Sequence, residues 1–310
     1  MAMTLIEAAK LALNGGAALR SSIIELYAQN SEVLRVLPFD DIQGNALQYN
    51  REEALPGVGF RGVNEAYSED VGVINPLVEP LVIAGGDLDV DTFILQTMGM
   101  GQRTTREAMK VKALAHRWTK AFLKGDQTSD PREFDGLQVR LTGTQKIAAG
   151  VTANGTPLAL TKLDELIDAV DNPTHLAMNR TMRRRLSAAA RLTTVGGFVQ
   201  YQPDEFGRQV MMYNGLPILI VDQDNTGVDI LQFNEAATSG TATATSIYCV
   251  SAQEGMLQGI QNSGIRVTDL GELQTKPVMR TRVEWYPGLA LFHPRAAARL
   301  WSIADAAVTA

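Results

Sequence analysis

The stretch from residue 91 to residue 124 constrains the fold most, because its pattern predicts one long helix among short extended segments and loops. Its apolar residues recur at spacings of three and four, which gives the predicted helix one buried stripe. The stripe consists of Ala108, Val111, Leu114, Ala115, Trp118 and Phe122. Such a helix is roughly 50 Å long. We expect Gly99 and Gly101 to bend it or split it in two.

The opposite side of the predicted helix is basic. It carries Arg103, Arg106, Lys110, Arg117, Lys120 and Lys124. Only Glu107 offsets this charge between residues 102 and 124, although the whole chain has 28 Lys and Arg against 34 Asp and Glu and a net charge of −6. An acidic chain is not built to hold nucleic acid over its entire surface, so any such contact is expected to be local.

Three carboxylates immediately precede this helix. Asp87, Asp89 and Asp91 alternate as they would on one face of a strand. Their position before a helix favours another interpretation, in which they cap the positive end of the helix dipole. We therefore predict that they are capping residues and not metal ligands.

Residues 43–84 have the pattern of a long two-stranded ribbon. An extended run at 45–52 leads to a glycine-rich tip, and a second run at 71–84 contains Pro76 and Pro80, which keep it out of a sheet interior. A lone ribbon is only marginally stable in water. We expect it to lie on another subunit. The alternative is an unstructured surface loop, but loops of this length are uncommon in compact domains.

The remainder of the chain mixes helices and strands. Asn179 is expected to cap a helix that runs to about residue 192. The segments 210–213 and 216–221 form a predicted hairpin closed by Asn214 and Gly215. Long strands return between 265 and 293, after the helical region. These features predict an α+β fold whose first domain is discontinuous.

Residues capable of catalysis are scattered. His116, His175 and His293 lack the spacing of a metal site, and the single cysteine, Cys249, lies in an apolar run and excludes a disulfide. Phosphate-binding, dinucleotide-binding and nucleophile-elbow motifs are absent from the sequence. We expect no catalytic residue, no metal and no cofactor.

One acidic segment partly matches a calcium loop. Asp222, Asp224, Thr226 and Gly227 agree with its first half, but the twelfth position is Phe233 and not the bidentate glutamate that calcium requires. We interpret this segment as a polar loop. The alanine-rich start, with Glu7 and Lys10, predicts an amphipathic helix over 4–13, followed by a second short helix over 17–29. It predicts neither a signal peptide nor a membrane span, so we expect a cytoplasmic protein.

The order of these parts resembles a known family. The local matches are a helix ending Phe122, Leu123, Lys124, Gly125 and Asp126, then Phe134 to Leu137, Asn214 to Ile218, and Gly288 to Pro294. Together with the arm, ribbon, long helix and inserted domain, they are similar to the major capsid proteins of tailed bacteriophages, which have the Hong Kong 97-like capsid fold.

The resemblance implies a division of the chain into an N-terminal arm (1–42), an extended loop (43–84), a peripheral domain (85–150 and 262–310) with its spine helix, and an axial domain (151–261). It also implies three sets of contact residues. The extended loop would contact a neighbouring subunit through Arg51, Glu52, Glu53, Arg61, Glu65, Glu69 and Asp70. Asp222, Asp224 and Asn225 would lie in a loop near the capsomer axis, and Glu272 and Lys276 in a peripheral loop.

The same resemblance implies partners. Copies of the chain would form hexamers and pentamers that close into an icosahedral shell around double-stranded DNA, with a portal, in the host bacterial cytoplasm. Because only about forty residues precede the extended loop, we expect a separate scaffolding protein. Some relatives crosslink a lysine of the extended loop to a neighbouring subunit. No lysine lies between Lys10 and Lys110 in this chain, so we expect no such crosslink. A cement protein would then strengthen the shell in place of the covalent bond.

Several alternatives stay open at this point. In the family the spine helix lies towards the shell interior, so its basic face would meet packaged DNA. Alternatively, this face is solvated or is paired with acidic groups of a neighbour's loop. The protein could also be an encapsulin, a shell of the same fold that encloses cargo enzymes. A cytosolic enzyme with an unrecognised site is a third possibility, which leaves the ribbon unexplained.

Overall fold

The computed structural model describes residues 31–54, 56–67, 69–70, 73–98, 101–191, 199–203, 209–221, 223–224, 226–238, 240 and 242–309. The predicted helices over 4–13 and 17–29 lie outside these residues. The helices are α1 (Glu32–Val36), α2 (Thr92–Met98), α3 (Gly101–Lys124), α4 (Leu137–Arg140), α5 (Leu160–Asp168) and α6 (Arg180–Ala190).

The chain also forms sixteen strands among its described residues, and this mixture of helices and strands confirms the predicted α+β class. They are β1 (Phe39–Asp41), β2 (Ala46–Ala54), β3 (Val73–Pro80), β4 (Ala84–Asp91), β5 (Lys146–Ala148), β6 (His175–Asn179), β7 (Val199–Pro203), β8 (Gln209–Tyr213), β9 (Leu216–Val221), β10 (Glu235–Ala236), β11 (Ala242–Val250), β12 (Leu257–Gln261), β13 (Arg266–Glu272), β14 (Val278–Trp285), β15 (Pro287–Leu291) and β16 (Ala297–Ile303).

The described part of the predicted long helix comprises α2, to Met98, and α3, from Gly101. Gly99 lies outside the described residues, so the bend or split expected at the two glycines stays a prediction. The buried stripe of α3 is confirmed, because Val111, Leu114, Ala115, Trp118 and Phe122 are all buried. Trp118 lies at the centre of this core. Its ring is 5.6 Å from that of Phe39 on β1 and 5.9 Å from that of Trp285 on β14.

The largest sheet has the order β5-β16-β11-β6-β9-β8-β7, with β10 paired to β11. Its two faces bury different side chains because strand residues alternate. Ala177 and Tyr248 face the core around α3, whereas Leu176 and Cys249 face a second core beneath α5 and α6. Strand β16 lies in this sheet beside β11, although the sequence pattern did not predict a strand over residues 297–303.

Two smaller sheets flank the long helix. One has the order β1-β12-β15 and the other β13-β14-β4, while β2 and β3 form a separate two-stranded ribbon. The division into arm, peripheral and axial domains stays a prediction. Strands on both sides of its boundaries pack into the shared core around Trp118.

The interpretation of the aspartates before the helix was wrong for two of the three. Asp87 and Asp89 belong to β4, where they stand opposite Arg282 and Arg280 of β14. Their carboxylates each accept two hydrogen bonds from the facing guanidinium. Asp91 does cap α2, because its Oδ1 accepts from the Phe93 amide at 2.8 Å. Cross-strand charge pairing, and not the helix dipole, explains the alternation.

Two local predictions are confirmed by geometry. Asn214 and Gly215 both have positive φ angles, 49° and 81°, as a two-residue hairpin turn requires. The Asn179 side chain accepts a hydrogen bond from the Met182 amide at 2.7 Å, which caps helix α6.

Candidate functional site

Within the described residues, the ribbon formed by β2 and β3 contacts the body at its root, which is the end that carries Tyr49 and Glu79. Tyr49 donates a hydrogen bond to the Leu291 carbonyl at 2.9 Å, and its ring lies 4.8 Å from that of Phe292. Glu79 on the facing strand accepts two hydrogen bonds from Arg140. Burial and the nearby Glu79 carboxylate raise the pKa of Tyr49 to about 12. The root is therefore held rigidly against the body by polar contacts.

The tip of the ribbon exposes large apolar side chains. Val58, Phe60 and Val63 are each at least 93% exposed, and Tyr67 is 69% exposed. Along the strands, Ile74 is 61% exposed. Contiguous apolar surface of this kind marks an interaction site in a stable protein. The tip has the chemistry of one half of an interface.

The predicted contact residues of the tip make local hydrogen bonds. Asp70 accepts from the Gly57 amide at 2.6 Å and Glu65 from the Gly62 amide at 2.8 Å. Arg61 donates to the Glu65 carbonyl and lies 4.9 Å above the Tyr67 ring. These contacts shape the loop, and Glu69 is exposed beside them.

The other predicted contact residues of this group lie nearer the root. Arg51 is on β2 and lines a cavity of about 420 Å³ together with Arg140 and Arg295. Glu52 and Glu53 also belong to β2, but their side chains lie outside the described part of the chain. All seven intersubunit contacts stay predictions.

The basic face of α3 is largely paired within the same chain. Arg103 is buried, forms a salt bridge with Asp269 at 2.7 Å and donates to Thr281. Arg117 pairs with Glu133 on the loop after the helix. These two guanidiniums therefore stabilise the fold. The sequence did not indicate the contacts of Arg103, because Asp269 and Thr281 lie more than 150 residues further along the chain.

Both lysines near the end of α3 hold the segment that precedes β11. Lys120 pairs with Asp224 at 3.0 Å and Lys124 with Glu235 at 3.1 Å. Of the predicted DNA-facing residues, Arg106 and Lys110 are half-buried, and Lys110 lies over β4 beside Gly86. Contact of this face with DNA stays a prediction.

The predicted axis loop is anchored through Asp224. Asp222 and Asn225 lie outside the described residues, but the Asp224 side chain is 6% exposed and accepts from the Thr226 hydroxyl and from Lys120. The Thr226 hydrogen bond, followed by that of Lys120, holds the pKa of Asp224 far below its usual range. The carboxylate thus serves as a fixed anchor for the loop.

The predicted peripheral loop connects β13 and β14. Glu272 is the last residue of β13, and Lys276 lies in the exposed turn that follows. Gly271 has a φ of +72°, which permits the bulge where the pairing register shifts. The loop is presented at a sheet edge, and its role in contacts stays a prediction.

Two titratable residues that could serve catalysis, His175 and Cys249, have pKa values shifted away from their ordinary range. Burial, with a smaller contribution from Arg35, lowers the pKa of His175 to about 4, and burial raises the pKa of the Cys249 thiol to about 12. Within the described ranges, no group of three His, Cys, Asp or Glu side chains is placed to hold a metal ion. No helix of this part of the chain is long and apolar enough to cross a bilayer.

Comparison with known proteins identifies the fold. No protein-family model and no curated protein sequence matches the chain. Solved structures do match. The holo-SrpI encapsulin complex from Synechococcus elongatus PCC 7942 is 17% identical in sequence and superposes with a TM-score of 0.62. The match covers 90% of this chain and 89% of the encapsulin chain. The capsid of a native GTA particle is 14% identical with a TM-score of 0.64, covering 89% and 91%. Microbacterium phage Oxtober96 is 12% identical with a TM-score of 0.63, covering 89% and 91%.

These structures define the class to which the fold belongs. The chain has the Hong Kong 97-like fold, which is shared by capsid and encapsulin shell proteins. The predicted resemblance is therefore confirmed at the level of the fold, over about nine-tenths of the chain.

Proposed function

We propose that this chain is the major capsid protein of a tailed bacteriophage. Copies assemble into hexamers and pentamers, which close into an icosahedral shell around double-stranded DNA. The role is structural and involves no catalysis. The Hong Kong 97-like fold supports this proposal, because the matched structures include a phage and a GTA capsid.

The observation that carries the proposal is the uncovered ribbon tip. Val58, Phe60 and Val63 have almost their whole side-chain surface in solvent. Covering each of them stabilises an interface by about 1.5–3 kcal/mol. If each ribbon lies on the next copy, the contact is head-to-tail and closes into a ring. A ring of such contacts supplies both the affinity and the geometry of a capsomer.

The charged contact residues set the register of this interface. Arg51, Arg61 and Glu69 lie on the strand and the tip around the apolar side chains. Exposed charges contribute little affinity, but they select the correct partner surface and orientation. Glu272 and Lys276 provide a second contact between capsomers, and the loop at Asp224 lies near the capsomer axis.

The remaining partners follow from assembly. A separate scaffolding protein guides the shell, a portal occupies one vertex, and a cement protein strengthens the finished particle. The protein is assembled in the host bacterial cytoplasm and ends in the virion.

A second candidate function is an encapsulin-type compartment. The match to the holo-SrpI encapsulin favours it, with a TM-score and coverage equal to those of the capsids within a few per cent. In that case the shell encloses cargo enzymes. Mass spectrometry and nuclease treatment of the purified particle distinguish cargo protein from DNA.

The experiment is negative-stain electron microscopy of the purified protein, alone and with the products of neighbouring genes. We expect closed shells or rings from the wild type. The variant F60D/V63D should stay a folded, unassembled subunit, because charge at the tip prevents its burial. Val151→Asp is the matched control, since Val151 is also 81% exposed but lies outside the ribbon. A uniform small oligomer of the wild type in every condition would overturn the proposal.

A further inference from the structure

Helix α6 carries the densest positive charge of the chain. Between residues 180 and 191 there are five arginines and no acidic residue, in a protein whose net charge is −6. The five are Arg180, Arg183, Arg184, Arg185 and Arg191. The functional residues considered above do not include them.

The arrangement of α6 puts most of this charge on one surface. Met182, Leu186 and Ala189 are buried against the central sheet. Counted from Arg180, spacings of three, four, seven and eleven residues lead to Arg183, Arg184, Ser187 and Arg191. On a helix these spacings place the four arginines, with Ser187 between them, on the side opposite the buried residues. We call this surface the arginine face; it consists of Arg180, Arg183, Arg184, Ser187 and Arg191.

Most of the arginine face is not neutralised. Among the described residues, no carboxylate forms a salt bridge with Arg183, Arg184 or Arg191, and Arg184 donates only to Thr181 of its own helix at 3.1 Å. The Nε of Arg183 is buried and has no hydrogen-bond partner. Arg184 and Arg191 are exposed, so their guanidinium groups can be reached from solvent.

The contrast with α3 is informative. There, Arg103, Arg117, Lys120 and Lys124 all have carboxylate partners in the same chain. A phosphate that binds these four residues must compete with their carboxylates. On α6 it would instead satisfy donors that are available.

We propose that the arginine face of α6 binds the phosphodiester backbone of the nucleic acid enclosed by the shell. This inference rests on the proposed function. Guanidinium groups donate two parallel hydrogen bonds to a phosphate, and a face that carries arginine and no lysine favours that geometry over simple charge attraction. The face is about 16 Å long, enough for several consecutive phosphates of one strand. Such contacts carry no sequence preference.

A salt titration tests the proposal. Binding of a fluorescent duplex of about 30 base pairs is measured by anisotropy over a range of NaCl concentrations, because each phosphate contact contributes about 0.9 to the slope of log affinity against log salt. The variant R183Q/R184Q/R191Q should reduce the magnitude of this negative slope by about 3.

Two further variants keep the test decisive. Arg185 is already paired with Asp305 at 3.0 Å, so Arg185→Gln is a control on the same helix and should leave the slope unchanged. If the triple variant fails to fold, Arg184→Gln alone should lower the slope by about 1. An unchanged slope for the α6 variants, or a wild type that does not bind the duplex, would overturn the inference. Shell formation is scored separately by electron microscopy, so loss of shells with retained binding would count against the proposed function alone.

Discussion

Arg140 and Glu79 form a double hydrogen-bonded ion pair that joins the body of the protein to the ribbon. The Nη1–Oε1 and Nη2–Oε2 distances are 2.5 and 2.7 Å, and the two side chains are only 14% and 12% exposed. The third nitrogen of the guanidinium, Nε, donates a hydrogen bond to the Asp135 carbonyl at 2.6 Å. This arginine at the end of α4, together with the contacts of Tyr49, therefore fixes the direction in which the ribbon leaves the body.

Glu79→Gln should loosen the ribbon without unfolding the body. The change removes one charge from a partly buried pair, so we expect a loss of about 2 kcal/mol, concentrated in the ribbon. Hydrogen exchange of the β2 and β3 amides measures the local effect, and assembly yield measures its consequence. Glu165→Gln is the control, because its pair with Lys162 is 51% and 37% exposed and should contribute less than about 0.5 kcal/mol. Equal effects of the two variants would contradict the assignment.

Glu235 is the centre of a buried charge cluster. It pairs with Arg299 at 2.8 Å and with Lys124 at 3.1 Å, and the Glu235 and Arg299 side chains are each 5% exposed. Glu235→Gln leaves two cations without their carboxylate, so we expect a loss of about 3–5 kcal/mol. Urea unfolding followed by circular dichroism gives the free energy. A loss no larger than that of Glu165→Gln would show that the cluster is not important for stability.

Asp224 predicts a pH dependence of stability. Its pKa in the folded protein is lowered, chiefly by the Thr226 hydroxyl and then by Lys120. The unfolded chain has the ordinary value of about 3.9. A lowered folded pKa gives stability that is present above pH ~4 and is lost as the pH falls from there towards the folded value.

The measurement compares the wild type with Asp224→Asn in urea at pH 7 and pH 3. The variant should be less stable at pH 7, and the difference should shrink at pH 3. Thr226→Val should show part of the same effect, because it removes the main donor. Thr144→Val, at an exposed threonine, is the control. A difference that does not depend on pH would contradict this account.

The sequence predicted those features that depend on residues close together in the chain. The Asn214–Gly215 turn, the Asn179 cap and the buried stripe of α3 are local patterns with one physical explanation each. Asp87 and Asp89 were misassigned because their arginine partners lie about 190 residues away in sequence. Strand β16 was not predicted, since its alanines carry little strand propensity and its identity comes from burial beside β11.

The candidate sites follow the same rule. The ribbon was predicted because its prolines and glycines are visible in the sequence. The pairing of the α3 lysines with Asp224 and Glu235 was not, because it joins residues more than 100 positions apart. The arginines of α6 were visible in sequence, but only the structure shows that Arg185 pairs with Asp305, whereas Arg184 and Arg191 form no salt bridge with a described carboxylate.

The absence of lysine from the ribbon predicts a shell without covalent crosslinks through this loop. No lysine lies between Lys10 and Lys110, so the loop has no side-chain amine to form an isopeptide bond with a neighbour. Purified particles dissolved in hot detergent should therefore run on a gel as a single band near 33.6 kDa. Particles treated with glutaraldehyde provide the control, since they should form a ladder of linked subunits. A ladder from untreated particles that survives boiling would show that another pair of residues crosslinks the shell.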